Sequence, residues 1–352
     1  MVTLFDRRKF IKTTAITGIG LGISGSVLPL VGRRAIIKGK RIGIIGLDTS
    51  HSVEFTKELN AVNASSEFGG YHVVAAYPKG SIDIQSSVKR IPGYIEQVKK
   101  MGVEIVDSIP SLLEKVDIIM LETNDGRTHL EQAMLVFKAG KIMWIDKPVT
   151  ASLADTMVMF NAAKHYKVPV FSSSNSRFRP STRMAISGKI GKIVGADTYS
   201  PCVLEKTHPD FFWYGIHGVE LLHTVMGTGC KNVVRIHTDQ TDVAVGTWGD
   251  GRIGVFRGTR SGKHDTGGTA FGEKGNSIMD SDGGGYDTLL KEIINFFQTT
   301  HSPVQAEETL AIYAFMEAAD ESKRRNGDAV SIDEVWNQAS KVAEKKLNDL
   351  IS

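Results

Sequence analysis

Between Arg41 and Ser172 two rhythms of apolar and polar positions alternate. Short, largely β-branched runs at Arg41–Gly46, His72–Tyr77, Val103–Val106, Asp117–Leu121, Ile142–Ile145 and Val168–Ser172 read as buried strands. Between them lie segments of helical character: from Thr49 or Ser50 as cap through Asn60, then Ile95–Met101, Ser111–Val116, Thr128–Ala139 closed by Gly140, and Ser152–Lys167. Strands that alternate with helices predict a doubly wound parallel sheet. Near residue 180 the rhythm changes. Ile193–Tyr199, Val233–Thr238, Ala244–Trp248, Ile253–Gly258 and Gly268–Phe271 read as antiparallel strands joined by polar turns. Helices are expected at about Gly215–Met226, Tyr286–Thr300 and Glu307–Arg324. The expected architecture is an α/β domain over residues 35–175 and an α+β domain over 176–352. The second domain has a mainly antiparallel open sheet, and its C-terminal helices pack back.

Composition leaves this picture intact. With 41% hydrophobic and 23% charged residues, the 352-residue chain is ordinary for a globular protein, and 36 glycines suit many tight turns. The net charge of +3 is misleading, because residues 1–34 hold six Lys/Arg against the single acid Asp6. Without that segment the body stands at −2, so it has no basic excess of the kind nucleic acid demands. Cys202 and Cys230 are too few for a disulfide framework, and the sequence leaves open whether they pair with each other.

The basic segment reads as an address. Paired Arg7 and Arg8, then Phe10 and Lys12, precede an uncharged stretch from Thr13 to Gly32 that is diluted by glycine. This resembles a twin-arginine export signal, which predicts a periplasmic protein and the twin-arginine translocase as a transient partner. An uncleaved N-terminal anchor is the alternative. An exported enzyme that uses a nicotinamide nucleotide should hold it tightly.

Three places carry candidate chemistry. Gly46-Leu47-Asp48-Thr49-Ser50-His51 follows the first strand and opens a helix, where a dinucleotide fold places Gly-x-Gly-x-x-Gly. Only the first glycine is present, and Asp48 stands in the second slot, where backbone normally approaches pyrophosphate. The second strand ends at Tyr77 without the usual ribose-binding acid; Lys79 is a candidate phosphate contact and, if so, favours NADP. At another strand end, Asp146-Lys147-Pro148 presents a lysine at the carboxyl edge of the sheet, able to donate a proton to a substrate oxygen.

Together with further marks these residues resemble the Gfo/Idh/MocA oxidoreductase family. The marks are Glu122-Thr123-Asn124 through His129, Ala139-Gly140-Lys141, Arg177-Phe178-Arg179-Pro180, and Gly215-x-His217-x-x-Glu220 followed by Gly227. The resemblance implies a Rossmann domain, a mixed-sheet second domain, NAD or NADP as cofactor and a sugar or polyol substrate between the domains. It implies catalytic roles for Lys147 and His217 and a homo-oligomer formed through the C-terminal sheet. Gly46 to His51, Tyr77, Lys79, Asn124, His129, Asp146 and Lys147 become candidate cofactor contacts. Arg177, Trp213, Tyr214 and His217 become candidate substrate contacts. The family's aspartate four residues before the histidine is Trp213 here, so Glu220 or His223 is expected to orient His217. His208, Asp210, His217, Glu220 and His223 crowd together, but their spacing does not favour a metal, and none is expected. A redox-neutral sugar lyase or hydratase, or a non-catalytic carbohydrate-binding relative, are the alternative functions.

Overall fold

The computed structural model describes residues 40–263, 265–281 and 285–351. The twin-arginine segment lies outside them. The first sheet is built from β1 (Arg41–Ile45), β2 (His72–Tyr77), β3 (Glu104–Ile105), β4 (Ile118–Leu121), β5 (Met143–Ile145) and β6 (Val170–Ser172). Its order is β3-β2-β1-β4-β5-β6, with every pairing parallel. This is the Rossmann order, which reverses between β1 and β4 and so opens a crevice at their carboxyl ends. Ile42, Ile44, Ile45 and all four residues of β4 are fully buried, because helices cover both faces of a parallel sheet.

The intervening helices are α1 (Ser50–Leu59), α2 (Gln85–Lys100), α3 (Ile109–Lys115), α4 (Gly126–Lys138) and α5 (Leu153–His165). Helix α2 begins ten residues before the sequence suggests. Pro92 and Gly93 interrupt its pattern, and only Ser87 and Val98 are buried, so it carries little apolar periodicity.

The second sheet comprises β7 (Ile193–Pro201), β8 (Cys230–His237), β9 (Thr241–Trp248), β10 (Ile253–Thr259), β11 (Gly267–Gly272), β12 (Gly275–Met279) and β13 (Val330–Ser331). Its order is β12-β11-β7-β10-β9-β8-β13, antiparallel except for β7 against β10. One face packs on α7 (Ile216–Met226) and α9 (Ala306–Arg324), which follow the short α6 (Pro180–Ala185) and α8 (Tyr286–Thr299) in chain order. Cys202 and Cys230 are both buried and are not bridged.

Two late helices belong in space to the first domain. Leu289, Leu290, Ile293, Ile294, Phe296 and Phe297 of α8 share a core with Ile42, Phe55 and Phe171. The last helix, α10 (Ile332–Ile351), lies along α5, with Lys346 reaching Asp155 at 2.6 Å. Among the described residues no helix is long and apolar enough to cross a membrane.

Candidate active site

The carboxyl edge of the first sheet faces the second domain across a cavity of about 250 Å³. That is below the ~300–1,000 Å³ of pockets enclosing drug-sized ligands. From the first domain Thr49, Ser50, His51, Asn124, Asp146 and Lys147 line it, and from the second Tyr214 and His217. The sequence marked all eight.

Lys147 leaves β5 through a cis Lys147–Pro148 bond, and the next amide, Val149, donates to the Tyr313 hydroxyl of α9. Its Nζ stands 5.8 Å from the centre of the Tyr214 ring. Beside it His51 Nδ1 meets Asp146 Oδ2 at 2.8 Å, and the imidazole stacks on Phe55. Burial works to raise the Asp146 carboxyl, but His51 and Lys147 outweigh it and hold it at about 2. The carboxylate is therefore ionised and fixes His51 in place.

The second domain delivers Tyr214 and His217 from a pinned turn. Asp210 receives Arg235 Nη2 at 2.7 Å and Lys323 Nζ at 2.6 Å, which anchors the 3₁₀ turn Asp210–Phe212 just ahead of them. Arg235 is fully buried, flanked by Asp242 and Asp320 and seated 4.0 Å over the Phe211 ring. These pairings occupy Asp210 as a structural acid. His217 Nδ1 meets the Ser174 hydroxyl at 2.9 Å. Burial, then the Lys147 cation, hold its pKa well below the ordinary histidine range, so the ring is neutral at pH 7.

Several expected roles change. Glu220 lies outside the cavity, and its hydrogen bonds go elsewhere than to His217. Its carboxylate accepts from the Ser174 amide (2.9 Å), the Ser173 hydroxyl (2.7 Å) and Arg177 Nε (3.1 Å). It therefore positions Ser174, which in turn holds His217. His223 cannot orient His217 either, because its Nδ1 faces Val219 O within its own helix. Arg177 is buried between Glu220 and Glu308 and is not a substrate contact; Arg179 lines the cavity instead. Trp213 is buried against His208, with ring centres 5.0 Å apart, so of the two only Tyr214 lines the cavity. His129 is fully buried with its ring nitrogens on Val149 O and Thr123 O, which makes it a staple between two loops rather than a cofactor contact. Tyr77 packs against the core and Lys79 is exposed; neither lines the cavity. Arg90, Ser174, Asn175, Ser176, Arg179, Pro201, Thr266 and Tyr286 complete the wall unforeseen. Of these, only Arg179 stood in a segment that the sequence had singled out.

The other end of the crevice lies over β1. Gly46 must be glycine: its φ is +91°, and a Cβ would meet Thr123 Cα at 2.5 Å. Leu47 N–H is used by Pro78 O. Asp48 is completely buried, and its two carboxylate oxygens accept from Ser81 N (3.0 Å) and Asn124 N (2.9 Å). Burial raises its pKa, and those two amides and Ser87 oppose the rise. A dinucleotide, which this fold implies, needs an anion seat at this point. The donor set fits one, since backbone N–H groups from the loops after β2 and β4 converge on a pair of anionic oxygens. Thr49 Oγ1, buried on the cavity wall, has no partner among the described residues. Thr49, Ser50 and Asn124 are the residues placed to receive such a cofactor.

With this geometry in place, comparison with known proteins is informative. Residues 40–174 match the Gfo/Idh/MocA model, described as an oxidoreductase family with an NAD-binding Rossmann fold. The match covers the first domain. No curated protein is similar to the chain in sequence. Among solved structures the chain is similar to a probable dehydrogenase from Thermotoga maritima (21% identity, TM-score 0.68, covering 84% of this chain and 99% of that one). It is also similar to scyllo-inositol dehydrogenase from Lactobacillus casei, solved with NAD(H) and scyllo-inositol (17%, TM-score 0.67, 84% and 99%). A third is myo-inositol dehydrogenase from Lactobacillus casei in complex with NAD(H) and myo-inositol (14%, TM-score 0.65, 83% and 96%). At these identities the likeness shows the fold, which agrees with the two-sheet architecture expected from the sequence.

Proposed function

We propose that the chain is an oxidoreductase acting on a sugar or polyol, with NAD or NADP as cofactor. The observation that carries this reading is the convergence of Lys147, neutral His217 and the His51–Asp146 pair on one small cavity at the carboxyl edge of a Rossmann sheet. The bound nucleotide supplies the hydride acceptor or donor. Lys147 Nζ holds or protonates the reacting oxygen. His217, tied at Nδ1 by Ser174, is the acid–base: because its ring is uncharged it can accept the single proton released as hydride leaves the carbon, and return it in the reverse direction. Tyr214 gives a sugar ring an apolar face.

The test is to supply purified protein with hexoses, hexuronic acids and inositols together with NAD or NADP, following both nucleotide reduction and substrate loss. Reduction coupled to one of these substrates is expected. Loss of substrate without reduction would establish the second reading, a redox-neutral lyase or hydratase, which the Asp48 carboxylate over β1 favours. No binding of any polyhydroxylated compound would overturn both.

The paired arginines support export through the twin-arginine translocase to the periplasm; Arg7→Lys with Arg8→Lys should leave the precursor in the cytoplasm. Val234, Val245 and Val255 are cross-strand neighbours on the partly exposed face of the second sheet, which supports a homo-oligomer formed there, checked by sedimentation.

A further inference from the structure

The Asp48 corner has features that go beyond a capped turn. A glycine-loop carboxylate that merely tolerated its place would point to water or cap its own helix. Asp48 does neither: its bonds go to two loops distant in sequence, and the helix that follows has no side-chain cap at Thr49. The surrounding chain is shaped to receive it. A Cβ on Gly80 would lie 2.1 Å from Asp48 Oδ2, so a glycine after β2 makes the room that the missing loop glycine does not.

The lips of the seat are also drawn together. The Ser81 hydroxyl reaches Asp125 at 2.9 Å, and Arg127 bridges Asp125 and Asp83, which closes the loop after β2 onto the loop after β4. The cavity correspondingly takes in Thr49 and Asn124 but not Asp48, and ends short of this corner.

We propose that the Asp48 carboxylate is an internal occupant of the seat that a nucleotide phosphate would take, so that binding of NAD or NADP to this chain is a displacement. It accepts from amide donors at the switch point of the sheet, and it carries the charge that a phosphate would bring. Two anions cannot share those donors. The nucleotide enters when Asp48 swings out and the Ser81–Asp125 and Arg127 contacts part; when it leaves, the seat refills from within. Asp48 thus sets nucleotide affinity without touching the reacting atoms. This rests on the cofactor part of the function proposed above.

The experiment is isothermal titration of the folded, full-length mature protein and its Asp48→Gly and Asp48→Asn variants with NAD, NADP and inorganic pyrophosphate, with thermal melts to confirm folding. Asn keeps the shape and is the safer variant should Gly loosen the turn. Both variants are expected to bind nucleotide at least about tenfold more tightly than the parent, ~1.4 kcal/mol, and Asp48→Gly is expected to bind pyrophosphate where the parent does not. Equal affinities in all three proteins would overturn the displacement and leave the oxidoreductase reading standing. Weaker binding by the variants would make Asp48 a nucleotide ligand and overturn it too. Silence from all three folded proteins would overturn both the displacement and the nucleotide.

Discussion

The two ends of the crevice are built from the same material and left in opposite states. At the β5 end, Lys147 Nζ forms no ion pair among the described residues, and the His217 ring is neutral with only its Nδ1 engaged. At the β1 end, both Asp48 oxygens are met and Leu47 N–H is spent. A polar group that folding leaves unsatisfied at a cavity wall is kept for a ligand, because folding would otherwise carry its desolvation cost for nothing. By that measure the β5 end is ready for a substrate, while at the β1 end Asp48 has answered the amide donors from within and Thr49 Oγ1 is left over.

The contrast can be broken at either end. The largest effect is expected from Lys147→Ala, which should lower turnover by roughly 100-fold or more, the scale of a lost general acid–base, while the protein still unfolds in one cooperative transition above the assay temperature. Turnover near the parent's would show that the open end is not where the chemistry happens.

Asp146→Asn tests what holds that end in order. The folded pKa of about 2 lies below the ordinary aspartate value, so the ionised carboxylate contributes stability that is complete above the unfolded pKa and is lost as pH falls toward 2. The shift corresponds to ~2 kcal/mol. Urea titrations should show the variant less stable by about that amount at pH 7, with the gap narrowing below about pH 4. A gap independent of pH would mean that the His51 and Lys147 charges are not its cause.

At the closed end, Gly80→Ala drives a methyl into the Asp48 carboxylate and should cost about 1 kcal/mol or more in chemical denaturation. A variant as stable as the parent would show that Asp48 does not rest there. The smallest effect belongs to Ser174→Ala, which removes one hydrogen bond worth ~1 kcal/mol from His217. The rate constant kcat should fall about five- to tenfold with KM little changed, and Ser174→Thr should restore it. A change in KM alone would make Ser174 a substrate contact instead.

How much of this was legible beforehand divides along the same line. The first sheet could be read strand by strand, because a parallel sheet covered on both faces forces continuous apolar runs. Lys147 and His217 were legible from their ordered neighbours. What escaped were relations across long sequence distances. Glu220 has a plausible spacing to His217, yet Ser173 and Ser174 from the far side of the domain boundary, and Arg177 just past it, claim its carboxylate. Trp213 beside Tyr214 suggested two aromatic platforms, but Trp213 went inward to His208 and meets Tyr214 only edge-on. Strands β12 and β13 are short edge strands with little alternation to mark them. Asp48 was marked as an anomaly; that Gly80 answers it appears only when the loops after β1 and β2 are side by side.

Helix α8 gives the molecule a timetable. The side of the first sheet that carries Phe171 is finished by Phe296, with ring centres 4.7 Å apart, and Phe297 reaches Tyr71. Truncating either phenylalanine should cost ~3–5 kcal/mol. Yet these residues are translated long after β6. At ordinary synthesis rates the ribosome needs on the order of ten seconds to travel from Ser172 to Phe297. For that interval the emerging first domain shows a bare apolar side to whatever is near. A nascent chain held between those two points should be bound by chaperones or cut by proteases, and one released beyond Phe297 should escape both.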